Sequence, residues 1–572
     1  MFQTSKVDIL LSVDNSRSMA DKQQILTLAL GDLLTGLANP PCLDANGQLV
    51  SAPGPAAACP EGSARQYQPV NDIHIGIISS SLGGHGSDAC ASNAAGKESN
   101  NDKGHLLSRL DPSQPGNVPT YQDKGFLAWD PAQQKDPPGE SDPTALATKF
   151  ASMVLGVGQI GCGYESQLES VYRFLVDPAP YQNISLDQNQ AIVKEGVDQV
   201  LLDQRKAFLR PDSMLVVLSL SDENDCSTRE EGQNYYSNQQ KGLNGGPFHL
   251  PAPRAVCATD PNDECCFSCG QKGPVDENGQ ATCPADPTCT AAGGGLVMLN
   301  DLTDNINVRC FEQKRRFGID FLYPTDRYVQ AFTSPTITDG SGQVVPNPIF
   351  SDLDTSDDVT AVRDPGLVIM AGIIGVPWQD IAKNPADLKQ GFKSATELAQ
   401  ANASGQTSWD IILGNPAAGV PPLDPFMVES ISPRSGTNPV TGTAISAPGG
   451  ALNPINGTEY TIDGQDDLQY ACIMPLPMPR DCSAAGLASC DCEDTTNDNP
   501  LCEVNPATGQ PTTQTRAKAY PGRRQLSVLE GLGDQAVVGS ICAGQITDPA
   551  SPDYAYRPVV ASLLDRVKTR LQ

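Results

Sequence analysis

The sequence predicts an α/β fold: a doubly wound, mostly parallel sheet with large loop insertions stapled by disulfides. Three observations predict it. Short, near-continuous apolar runs alternate with amphipathic helical patterns, as expected of strands buried on both faces by crossover helices. Long stretches without a regular period, rich in Pro, Gly, Asn and Cys, separate these elements. The 18 cysteines are even in number and clustered, eight from Cys226 to Cys310 and six from Cys472 to Cys542.

The first apolar run, Val7 to Val13, is a buried strand, and a helix follows from Asp21 to Leu37. There Ile25, Leu26, Leu30, Leu33, Leu34 and Leu37 recur every three or four residues. Ile73 to Ser80 is a second strand, and His105 to Leu110 a short edge-strand candidate. Helical patterns cover Thr144 to Leu155, Glu165 to Leu175 and Gln188 to Phe208. Further strands are predicted at Met214 to Leu220, Phe317 to Tyr323, Leu367 to Val376 and Gln535 to Ile541. An amphipathic helix, Arg557 to Leu571, closes the chain.

A length of 572 residues would allow about four domains of ~150 residues. The scatter of strands along the chain instead predicts one α/β core, assembled from 1–37, 71–110, 144–222, 308–334, 364–380 and 520–572. A Cys-rich insertion at 223–307 and a larger one at 381–519 are too long to be plain loops.

Charge narrows the function. There are 38 Lys and Arg against 67 Asp and Glu, a formal charge of −29. Nucleic acid and anionic membrane surfaces both require a basic face, so both are excluded as expected partners. So many cysteines point to disulfides and an extracytoplasmic location: periplasm, cell surface or medium. The first residues lack a basic region and a long apolar run, so a signal segment is expected to have been removed. The longest apolar run, Leu367 to Pro377, is too short to span a membrane.

The chemistry concentrates where the first strand meets its helix, at Asp14-Asn15-Ser16-Arg17-Ser18-Met19. Ligands bind at the carboxyl edge of open α/β sheets, and hard oxygen donors suit Mg²⁺ or Ca²⁺. Helix capping by Asp and Ser is the plainer alternative. In this setting the D-x-S-x-S pattern resembles the metal-ion-dependent adhesion site of the von Willebrand factor A family. The S-D-E-N-D-C stretch at 221–226 is similar to that of its bacterial surface members.

The resemblance implies a metal held by Asp14, Ser16, Ser18 and Asp222, with Glu223 and Asp225 as supporting or additional ligands. The family's threonine ligand has no counterpart in the stretch Gly161 to Leu168, where Glu165 or Ser166 would stand in. A carboxylate at that place could favour Ca²⁺ or close the open coordination position. Cys162 and Cys226, each in a metal loop, are expected to pair.

Other features carry less. The C-x-x-C at Cys266 to Cys269 lacks the second pair or histidines that zinc requires, so disulfides are expected there and at Cys482, Cys490, Cys492 and Cys502. Acidic runs at Asp352, Asp354, Asp357 and Asp358, and at Asp463, Asp466 and Asp467, read as solvated loops or structural calcium sites without EF-hand spacing. The four histidines, His74, His85, His105 and His249, are scattered, and no nucleophile elbow or phosphate loop accompanies them. A binding module is therefore expected, not an enzyme. It would hold the carboxylate of a protein or surface polymer through its cation. Two alternatives stay open: an envelope or filament component in which the cation only stabilises the sheet edge, and a metal-dependent hydrolase.

Overall fold

In a computed structural model the described residues are 4–571, except 56, 94–95, 113, 357–358 and 485–489. Asp357 and Asp358 lie outside them. Six strands form the central sheet: β1 (Lys6–Val13), β2 (Asp72–Ser79), β3 (Phe126–Trp129), β4 (Met214–Leu220), β5 (Val368–Ile374) and β6 (Ala536–Ser540). Their order is β6-β5-β4-β1-β2-β3, all parallel except β3, which runs antiparallel to β2. Every residue of β4 and β5 is buried, which explains why these strands are uninterrupted apolar runs.

Helices α1 (Ala20–Ala38), α2 (Pro143–Gly156), α3 (Gln167–Leu175), α4 (Gln199–Phe208), α5 (Asp326–Thr333), α6 (Arg523–Leu532) and α7 (Arg557–Leu571) pack in two groups. One joins α1 to α2 and α7; the other joins α3 to α4 and α5, and α5 to α6.

Three expectations are corrected. The edge strand is β3, not His105 to Leu110; Arg109–Asp111 forms a small hairpin with Gln114–Asn117 instead. Gln188 to Phe208 is not one helix. Asn183–Leu186 pairs with Ile192–Glu195 in a hairpin whose turn is held by Asp187, and α4 begins only after Asp198 caps it. Phe317 to Tyr323 joins no sheet. Phe317 and Phe321 bury themselves with Leu250 of the Cys-rich insertion, and Leu322 makes an isolated bridge to Thr228.

Nine disulfides use all 18 cysteines. Cys257–Cys266, Cys265–Cys283 and Cys269–Cys289 hold the 223–307 insertion, which contains only short helical turns. The larger insertion carries a three-stranded antiparallel sheet of Cys472–Asp481, Thr513–Ala519 and Cys502–Glu503, and Cys472–Cys542 ties it to the end of β6.

The seat of this insertion contains a buried acid pair, Asp380 and Asp424. Burial and the neighbouring Asp424 push the Asp380 carboxyl well above its ordinary range, and Asp424 is raised too, chiefly by burial. Folded-state values above the unfolded ones mean that the folded chain holds protons longer. Stability is then lost as pH rises above about 4, the unfolded carboxylate value, and recovered on acidification. Asp380→Asn, which can still accept from Asn438 Nδ2, is expected to raise the unfolding midpoint at pH 7–8. That gain should shrink towards pH 4 in parallel urea titrations.

Candidate functional site

Three adjacent strands deliver the site. Val13 pairs with Leu220 of β4 and with Ser79 of β2, so Asp14, Ser221 and Ser80 leave the sheet side by side. All three are fully buried. The Asp14 amide continues the ladder to the Leu220 carbonyl at 2.9 Å. Asp14 Oδ1 accepts from the Ser16 amide at 2.8 Å, and Oδ2 from the Ser221 hydroxyl at 2.7 Å. Gln23 in α1 ties the Asp14 carbonyl to that of Gly158. Gly161 must stay small, because a Cβ there would sit 2.2 Å from the Asn15 side chain.

Ser16, which precedes the short helical turn before α1, makes no side-chain capping bond, and its own amide is taken by Asp14. Ser16 Oγ lies 3.3 Å from Ser18 Oγ, and the Ser18 hydroxyl donates to Asp222 Oδ1 at 3.0 Å. Adjacent oxygens around a six-coordinate Mg²⁺ are about 3.0 Å apart, and around Ca²⁺ about 3.5 Å. The hydroxyl and carboxylate spacings therefore fit such a cation. Among the described residues no three His, Cys, Asp or Glu side chains converge closely enough to hold a metal unaided. The serines would have to contribute.

Sequence reasoning missed Lys22. Its ammonium donates to Asp222 Oδ2 at 2.7 Å and to the Ser18 carbonyl at 2.8 Å, with both side chains of the ion pair buried. The signal was present: Lys22 lies on the apolar face of α1, in line with Leu26, Ala29 and Leu33.

Glu165 is 7% exposed, lines the cleft over the site, and makes no ion pair with any of the described residues. Burial first, then the charge of Asp14, pushes its carboxyl well above the ordinary range. Burial and Asp222 hold Asp14 up at about 6, and burial with Asp222 and Glu165 raises Glu223. Asp14, Glu165 and Glu223 thus all give up their protons less readily than free carboxyls do, each raised by burial and by its acidic neighbours. Glu223 also lines the cleft. Asp225 does not: it caps α3 through the Leu168 amide, takes the Ser227 hydroxyl and pairs with Arg524. Ser166 faces away, its hydroxyl 3.3 Å from His85 Nε2.

The expected Cys162–Cys226 pairing is replaced by Cys90–Cys162 and Cys226–Cys310. The two loops are neighbours, as the Cys226 amide donates to the Glu165 carbonyl at 2.8 Å. Cys162, however, is turned by the Ser81 hydroxyl towards the loop after β2, while Cys226 packs with Leu322 and Cys310.

A cleft of about 940 Å³ opens above Ser16, Ser18, Glu165 and Glu223. Its other wall belongs to the large insertion and is strongly acidic, with Asp463, Asp466, Asp467, Asp491, Glu493 and Asp494. All three acids of the run at Asp463, Asp466 and Asp467 line this cleft, and Asp467 also accepts from the Tyr520 hydroxyl. By contrast, Asp354 pairs with Lys206 at the surface.

Fold and site together define a disulfide-rich mixed α/β protein, with a mostly parallel six-stranded sheet and an oxygen-rich cluster at its carboxyl edge. Compared with family models, with curated proteins and with solved structures, the chain matches none of them. No helix among the described residues is long and apolar enough to cross a membrane.

Proposed function

We propose that this chain is an extracytoplasmic binding module of the von Willebrand factor A type, its two helix groups lying on opposite faces of the sheet. It holds a divalent cation, Mg²⁺ or Ca²⁺, through Asp14, Ser16, Ser18, Asp222 and Glu165, and through that cation a partner's carboxylate. The observation that carries this reading is the row of oxygens from Ser16 to Ser18 to Asp222, spaced 3.3 and 3.0 Å, in a cleft that Glu165 also lines.

The cleft adds a constraint on the partner. An acidic wall repels a bare polyanion, so the partner should carry basic groups around its metal-binding carboxylate. The test uses two peptides with the same flanking lysines, one with a central glutamate and one with glutamine. Fluorescence anisotropy should show binding of the glutamate peptide in Mg²⁺ or Ca²⁺, weakening as salt rises, and none with EDTA. Binding that ignores both EDTA and the glutamate would contradict the proposal. One observation favours a second reading: Glu165 can itself close the metal shell, leaving the cation a structural role at the sheet edge. A cation that binds while neither peptide does would support that reading.

A further inference from the structure

Behind the cleft lies a buried relay that sequence reasoning did not assemble. His85 Nε2 stands 3.3 Å from Ser166 Oγ, and its Nδ1 3.2 Å from Glu230 Oε1. The Tyr181 hydroxyl donates to the same Glu230 oxygen at 2.5 Å, and the Lys194 ammonium lies 3.3 Å from the other. Burial opposes ionisation of Glu230, but the His85 bond and the Lys194 charge prevail and hold it well below the usual carboxylate range. A carboxylate facing Nδ1 requires the ring hydrogen there. Nε2 and the Ser166 hydroxyl share the remaining hydrogen bond, and the hydroxyl also donates to the Tyr164 carbonyl at 3.4 Å.

Serine, histidine and acid follow one another as in a hydrolase. Ser166 is fully buried, however, and His85 nearly so, so no substrate reaches the hydroxyl. The relay grips a loop instead. His85 adopts φ +53° and Cys90 +49°, left-handed conformations uncommon for residues other than glycine. From this strained loop Cys90 holds Cys162, His85 holds the Ser166 side chain, and the Ser80 carbonyl holds the Ser166 amide at 2.9 Å. Glu165 lies between these anchors, with its carboxylate on the cleft.

We infer that His85 and Glu230 are positioning residues that, acting through Ser166, fix the Glu165 carboxylate against the cation site. This rests on the cation-binding reading above. Partners that orient a metal ligand from behind typically change affinity 10- to 100-fold when removed. Calorimetric titration of the full, oxidised chain with Mg²⁺ and Ca²⁺ is the test. His85→Ala and Ser166→Ala should each weaken binding about tenfold. His85→Gln, which keeps an acceptor for the hydroxyl, should recover part of the loss.

Within a Glu165→Gln background, His85→Ala should add nothing, because the relay acts through the carboxylate already removed. Should His85→Ala fail to fold, Tyr181→Phe and the partly exposed Lys194→Ala loosen Glu230 more gently, with losses of about two- to threefold expected. Wild-type affinity in the relay variants would overturn the inference while leaving the cation site intact. Equal losses with and without Glu165 would overturn it too, since they would show general loosening. A wild type that binds neither cation would defeat the cation reading and the relay with it.

Discussion

Asp222→Ala is expected to destabilise the fold by about 3–5 kcal/mol with EDTA present, before any cation is involved. The reason is Lys22. Its ammonium is buried in α1 and, among the described residues, has one carboxylate within ion-pair distance, at 2.7 Å. Removing that partner strands a charge in the interior, and the Ser18 carbonyl alone cannot compensate. Asp222→Asn should cost nearly as much, because the amide preserves the shape but not the charge. Coupling it with Lys22→Met should recover much of the loss, since replacing both members of a buried pair is often close to neutral. Urea unfolding of the wild type and these three variants in EDTA checks this. Equal midpoints for wild type and Asp222→Ala would contradict the ion pair.

At the opposite edge of the sheet, Asp8→Ala should cost a similar ~3–5 kcal/mol. Asp8 is fully buried in β1 and holds two arginines that precede neighbouring strands. Arg210, before β4, donates its amide and Nε to the carboxylate at 2.9 Å, and Arg363, before β5, approaches to 3.5 Å. The Ser213 hydroxyl closes the cluster. Asp8→Ala leaves the buried Arg363 guanidinium without its carboxylate, and Arg210 with Asp72 alone, at the point where β1, β4 and β5 are brought into register. The loss should be the same in EDTA and in excess Ca²⁺, because the cluster lies at the far end of β1 from Asp14. A loss that Ca²⁺ reversed would contradict this separation.

The sheet was legible where burial on both faces wrote itself into composition. β1, β2, β4, β5 and β6 are apolar runs, and α1 and α7 repeat every three or four residues. β3 was not legible: Phe126–Trp129 is four residues long in a polar, Pro-rich stretch, and only its pairing with β2 makes it a strand. At Gln188 to Phe208 the helical period of α4 was extended backwards over a hairpin whose turn depends on Asp187. α5 and α6 lie in segments assigned to the core, 308–334 and 520–572, but at eight and ten residues they are too short for their period to stand out.

The site divides in the same way. Asp14 could be placed because it directly follows a buried strand; Asp222, two residues past the end of β4, was implied by the family resemblance, and parallel neighbours bring the two together. Lys22 was legible in principle from its place on an apolar helix face. The partners of Cys162 and Cys226 were not, since pairing among 18 cysteines follows loop paths that leave no local pattern. His85, Ser166 and Glu230 come from three separate segments and share no motif, so only the folded chain shows them in contact.

The central claim, a cation held at Asp14, is tested most directly by thermal unfolding of wild type and Asp14→Asn in EDTA, in Mg²⁺ and in Ca²⁺. A cation at a hundred times its dissociation constant stabilises the native state by about 2.7 kcal/mol. The wild type should therefore unfold at a higher temperature with at least one cation, and the ion with the larger shift is the preferred one. Asp14→Asn should unfold in EDTA no earlier than wild type, because it removes a buried carboxylate that has no ion-pair partner among the described residues, and it should gain nothing from either ion. A variant that gains as much as the wild type, or a wild type indifferent to both ions, would contradict the claim.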